Sequence, residues 1–168
     1  VETAFAWSHA VNRTTGPTAL ILTRQGLPIP STPPAPDDVA RGGYIRSEGD
    51  AGVIVATGSE VGRAHGAADL LGQQGVSVRV VSMPCVEVFL AQDEEYRTSV
   101  LGSDLPVFTL EAGVTALWES VTASGGQAIG LDRFGASAPA SVLATQFGFT
   151  PENVAAQITT GIDTQEQS

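Results

Sequence analysis

The sequence contains no lysine, and all eight of its basic residues are arginine. That absence excludes Schiff-base catalysis by a lysine amine and a Walker-type phosphate loop, which ends in Gly-Lys-Ser/Thr. Cysteine, methionine and histidine are almost as scarce: Cys85, Met83, His9 and His65 are the full complement. One cysteine cannot form an intrachain disulfide, and one cysteine with two histidines is a poor basis for a structural zinc site. Eighteen acidic residues against eight basic ones give a formal net charge of -10, which argues against a nucleic-acid backbone as partner. No apolar run approaches the roughly 20 residues that span a bilayer, and the N-terminus lacks the basic-then-apolar pattern of a signal peptide. A soluble cytoplasmic protein with no membrane partner is the expectation. What is present is a 42% hydrophobic content, enough for a packed core in a chain of 168 residues.

Val1 already falls inside a segment of helical spacing, with Ala4, Phe5, Trp7, Ala10 and Val11 on one face and Gly16-Pro17 as a breaker. A chain that opens this way is expected to be cut from something longer; the alternative is a natural terminus after removal of the initiator methionine. Thr18–Arg24 is a nearly continuous apolar run and predicts a strand buried on both faces. Residues 26–38 hold five of the ten prolines and read as an extended linker, because proline lacks the N–H donor and fixes φ.

Beyond Arg41 strands and helices alternate. Gly43–Arg46 suggests an edge strand. Gly52–Thr57, Val76–Met83, Leu105–Leu110 and Gln127–Leu131 predict buried strands. Helical patterns cover Glu60–Leu71, Val86–Leu90, Asp93–Val100, Thr115–Ala123, Pro139–Phe147 and a last segment from Pro151, with Gly161 as a stop and 163–168 as a polar tail. Ser59 and Thr150 are the expected helix caps, with Pro151 at the first helical position. Gly58, Gly62 and Gly66, four apart, would let their helix lie close to the sheet. The strands are apolar runs without polar alternation, so the predicted fold is α/β: one three-layer domain with a mostly parallel sheet and helices on both faces, preceded by a helix and a strand.

In such sheets ligands bind beyond the C-terminal strand ends. Gly58-Ser59 could hold an anion at a helix N-terminus, but Glu60 already places negative charge there and favours plain capping. Cys85 could act as a nucleophile, although a small buried cysteine with no nearby histidine is the more ordinary reading. Ser59 and Ser137 lack the G-x-S-x-G elbow of hydrolases. Glu111 and Asp132 could form a carboxylate pair on neighbouring strands, with loop hydrogen bonding as the simpler role. His65 falls mid-helix. Arg24 ends a predicted buried strand, where its guanidinium could grip a phosphate or carboxylate bidentately; its residues alone favour an internal salt bridge.

Several ordered segments resemble the C-terminal part of transketolase. They are Gly16–Gln25 (GPTALILTRQ), Gly42-Gly43-Tyr44, Ala56–Val61 (ATGSEV) and Arg79–Pro84 (RVVSMP). Glu111-Ala112-Gly113 with Trp118, Phe134-Gly135 with Ser137-Ala138-Pro139, and Phe147–Thr150 with Glu152-Asn153-Val154 continue the series. Cys85 stands where that family usually has serine, and Leu90 where an acidic residue is common.

The resemblance implies a dimeric thiamine-diphosphate and Mg-dependent transferase that moves a two-carbon ketol unit between sugar phosphates. It implies that residues 1–25 end the pyrimidine domain, that 26–40 link, and that 41–162 form the C-terminal domain. The family's substrate-phosphate arginine falls on Arg24, so the resemblance turns that residue from salt bridge to phosphate ligand. No catalytic, cofactor-binding or metal residue is carried onto this chain, which alone is expected to bind no cofactor and to be inactive. The alternatives are a non-catalytic module for dimer contacts or a regulatory ligand, and an independent small-molecule binder of doubly wound fold.

Overall fold

Short β-branched runs make the strands of this protein, and the residues between them set the order in which they pair. The structure, a computed structural model, describes residues 1–123 and 125–166. Five strands form one sheet: β1 (Tyr44–Ser47), β2 (Gly52–Ala56), β3 (Val78–Ser82), β4 (Val107–Leu110) and β5 (Ala128–Ile129), in the order β1-β3-β2-β4-β5. Strands β3, β2, β4 and β5 run parallel, and β1 closes one edge antiparallel to β3.

Every residue of β2 is buried, as a central parallel strand requires, and its side chains alternate between two cores. Ile54 and Ala56 join Val80, Phe108 and Leu110 under α3 (Glu60–Gln73), α6 (Ala140–Gln146) and α7 (Pro151–Glu166). Val53 and Val55 join Val81, Met83 and Phe89 under α4 (Val86–Leu90), α5 (Glu94–Leu101) and a 3-10 turn at Thr115–Trp118. Three layers result, as the apolar runs predict. On β3, Arg79 pairs with Glu48 at 3.0 Å and donates through Nη1 to the carbonyls of Ser99 and Val100, while its buried Nε has no hydrogen-bond partner among the described residues.

Ahead of the sheet, α1 (Glu2–Asn12) forms where the helical spacing predicts it, but none of its residues is fully buried and Trp7 is exposed. Thr18–Arg24 is not a strand. It runs without secondary-structure pairing, and Ile21 is 96% exposed. A strand exists only through hydrogen bonds to a neighbour, and none of the five strands pairs with this segment. The proline-rich stretch is irregular until Pro36, which then starts the short helix α2 (Pro36–Ala40) at its first position, where the missing N–H costs nothing. Val39 of α2 is buried.

Other expectations shift for local reasons. The helix predicted over Thr115–Ala123 is only the 3-10 turn, after which Ala123 bridges to Val107. Gly161 does not stop α7. It lets the helix pass the ring of Phe108, whose Cε1 would lie 2.5 Å from a Cβ at that position. Within α3, Gly62 faces open space, and Gly66 makes its close approach to Pro151 of α7 instead of to the sheet. Thr150 does cap α7, its hydroxyl accepting from the Asn153 amide at 3.3 Å. The polar tail predicted over 163–168 is helical to Glu166, and its last two residues lie outside the described ones.

Candidate functional site

Strand β3 follows β2 on one side of the sheet, and β4 returns on the other. The order therefore reverses between β2 and β4, and the crevice of a doubly wound sheet opens at their C-terminal ends. Two carboxylates occupy it, Glu60 from the first turn of α3 and Glu111 from just after β4. Gly58 supplies the turn, with φ +54 in the left-handed region that glycine adopts without strain. Ser59 stays in a right-handed helical conformation and makes no cap bond to the helix backbone. Its hydroxyl instead donates to the Glu60 carboxylate at 3.0 Å.

Burial raises the Glu60 carboxyl above its ordinary range; the Ser59 hydroxyl and the Arg63 guanidinium oppose the rise, and the nearby Glu111 charge adds to it. Glu111 accepts from the indole N–H of buried Trp118 at 2.7 Å. Asp132, beyond β5, accepts from both the amide and the hydroxyl of Thr115, at 2.9 and 2.7 Å, and these bonds lower its pKa. Glu111 and Asp132 thus do the loop work that was the simpler reading, and together they tie the 3-10 turn to two strand ends. The interaction that sequence reasoning missed is between Glu60 and Glu111. Its signal was available: each is the first acidic residue after an apolar run, and both runs are central.

A crevice with two carboxylates repels phosphate. Arg63, the nearest cation to Glu60 in sequence, spends a hydrogen bond on the carbonyl of Phe149 at 2.7 Å. Among the described residues no group of three or more His, Cys, Asp or Glu is arranged to hold a metal ion. The residues present therefore do not fit a diphosphate-metal cofactor, and no chemical step is assigned to one in this chain.

The remaining candidates are dispersed. Cys85 is partly buried ahead of α4, with Sγ 3.5 Å from Glu87 Oε2 and no hydrogen bond to an imidazole among the described residues. Ser137 is exposed in the loop before α6, and His9 is exposed on α1. His65 is half-buried on α3; burial lowers its pKa, the Arg46 charge adds to the lowering, and Asp69 opposes it. Arg24 is exposed and has no hydrogen bond or ion pair among the described residues, so the internal salt bridge favoured by its residues alone is absent. Most other arginines are engaged: Arg41 stacks 4.4 Å over the Tyr96 ring, and Arg133 lies 5.3 Å over Phe147.

Residues 42–150 match the family described as the transketolase-like TK C-terminal domain. The chain belongs to that family. It is 50% identical over 158 residues to a plasmid-borne transketolase of Cupriavidus necator and 43% identical over 162 residues to transketolase 2 of Escherichia coli, covering 92% and 94% of this chain. A crystal structure of Pichia stipitis transketolase in complex with sedoheptulose-7-phosphate superposes over 99% of this chain with a TM-score of 0.92 and 37% identity. The chain spans about a quarter of the length of these relatives, 24% in each case. The transketolase C-terminal domain thus has the mixed α/β sheet predicted from the apolar runs. Among the described residues no helix is long and apolar enough to cross a membrane.

Proposed function

We propose that this chain serves as the C-terminal part of a transketolase, which transfers a two-carbon ketol unit from a ketose phosphate to an aldose phosphate in the pentose phosphate pathway of the cytoplasm. The whole enzyme is read as a homodimer that uses thiamine diphosphate and Mg. Thiamine diphosphate, when bound there, supplies the carbanion chemistry of the transfer. This chain contributes binding and architecture and no catalytic group. Residues 1–25 are read as the end of the pyrimidine domain, 26–40 as the linker and 41–162 as the C-terminal domain.

Arg24 is the residue assigned to substrate. The observation that carries this is its free guanidinium on an exposed segment, within a stretch whose similarity to transketolases extends beyond the matched domain on the N-terminal side. A solved relative holds a phosphorylated sugar, which is the chemistry an unpaired guanidinium fork recognises. A contact at the distal phosphate orients the substrate without touching the reacting carbons. In the full-length enzyme Arg24→Ala is expected to raise KM for phosphorylated ketoses about 10- to 100-fold, the size of a lost charge-assisted hydrogen bond of about 1.5–3 kcal/mol. Steady-state kinetics with phosphorylated and unphosphorylated substrates check it; equal loss on both overturns the phosphate role.

A second reading gives the sheet domain a non-catalytic role in dimer contacts. Phe134 is 96% exposed after β5, and Val114 and Leu117 are exposed beside the β4 end, so apolar surface surrounds the acidic crevice. Such surface fits protein contact better than a sugar phosphate.

A further inference from the structure

Helix α1 docks on the sheet domain and on α2 through a face that is only half-buried, with Phe5, Ala6 and Ala10 on it. No residue of the helix is fully buried, and Trp7 and Val11 point to solvent. A polar contact holds its first turn. The Glu2 carboxylate oxygen Oε1 accepts a hydrogen bond from the Tyr44 hydroxyl at 2.7 Å and another from the Ser82 hydroxyl at 2.6 Å. Tyr44 and Ser82 are direct cross-strand partners in the β1–β3 pairing, so the register of the sheet edge sets the spacing of the two donors. Both donors are nearly sequestered, Tyr44 at 5% exposure and Ser82 at 1%. Losing Glu2 would leave a buried serine hydroxyl without this acceptor, which is costly in a dry site. The same carboxylate, after burial, contributes to raising the Tyr44 phenol far above its usual value, while the Ser82 hydroxyl and then the Arg46 guanidinium beside the Tyr44 ring oppose it.

We propose that Glu2 is a positioning residue. Its carboxylate, seated on the Tyr44–Ser82 pair, anchors α1 to the sheet edge and so directs the following segment that carries Arg24. The docking half stands on the hydrogen bonds alone; the substrate half rests on the reading of Arg24 as a phosphate contact. In this 168-residue chain, Glu2→Ala is expected to speed amide exchange across α1 by about tenfold or more while β2 and β3 stay protected. The double variant Tyr44→Phe with Ser82→Ala leaves the helix sequence untouched and is expected to do the same. If only Glu2→Ala speeds exchange, the effect is the lost negative charge in the first turn of the helix and the docking assignment falls.

In the full-length enzyme Glu2→Ala is expected to raise KM for a phosphorylated ketose several-fold, with kcat within about twofold, and to add little to Arg24→Ala. Additive effects overturn the positioning role. An unmoved KM in Arg24→Ala itself overturns the phosphate reading and the substrate half with it, while the exchange results report on docking independently.

Discussion

Two apolar runs of similar composition meet opposite fates in this chain. Gly52–Ala56 (GVIVA) is the central strand β2, with Ile54 fully buried between two helical layers, whereas Thr18–Leu22 (TALIL) lies unpaired with Ile21 96% exposed. The difference does not lie in the runs themselves. Strand β2 has β3 on one side and β4 on the other; the earlier run has no strand on either. An apolar pentapeptide states that it wants burial, and only its neighbours decide whether it becomes a strand.

The strongest way to break this comparison is to truncate both isoleucines. Ile54→Ala is expected to destabilise the chain by about 2–5 kcal/mol, because the cavity opens in a fully packed layer, and Ile21→Ala by less than about 0.5 kcal/mol. Urea unfolding of the two variants measures it, and comparable losses would mean that residues 18–22 are packed in solution. A smaller effect comes from Gly161. A methyl there meets the Phe108 ring, so Gly161→Ala is expected to cost about 1–3 kcal/mol despite the better helix propensity of alanine. A thermal melt that shifts upward would show that α7 can slide off the sheet.

The smallest effect sharpens the contrast at the crevice. The Glu60 carboxyl is raised in the folded chain, so unfolding releases a group that ionises more readily. Stability from this group is full below the unfolded carboxylate range and declines as pH rises through the raised folded value. Glu60→Gln is therefore expected to stabilise the chain slightly at neutral pH and to leave it unchanged near pH about 3, where both states are protonated. Thermal melts at the two pH values check the sign; destabilisation at neutral pH would mean that the Glu60 charge is wanted in the crevice.

Much of the sheet domain was legible because its strands are short apolar runs bounded by Gly, Pro or charged residues, and because α3 shows helical spacing from Val61 to Leu71. The misreadings share a cause: each turned on a partner the local sequence does not name. Ser59 looks like a cap by type, but a cap residue is usually extended and Ser59 is helical, with Glu60 taking its hydroxyl. Gly161 looks like a stop because glycine commonly ends helices, yet its missing side chain is filled by Phe108, 53 positions earlier. At the candidate site, Asp132 and Glu111 were singled out correctly as strand-end acids. Their separate partners, Thr115 and Trp118, required the 3-10 turn to be placed. The proximity of Glu60 to Glu111 required the order of the strands. Arg24 is conspicuous by position, and that it has no internal partner among the described residues is visible only once the fold places its neighbours.

The bond from Trp118 to Glu111 has a practical consequence. The chain has two indoles in contrasting settings: Trp118 is 3% exposed under the sheet with its N–H bonded to a carboxylate, and Trp7 is 56% exposed on α1. Their emission should therefore separate into a blue component from the packed layer and a red one from the helix. Red-edge quenching by a soluble acrylamide would follow α1 alone, while the blue band follows the sheet. The protein thus carries a built-in two-colour gauge of whether its first helix and its core come apart together or in sequence.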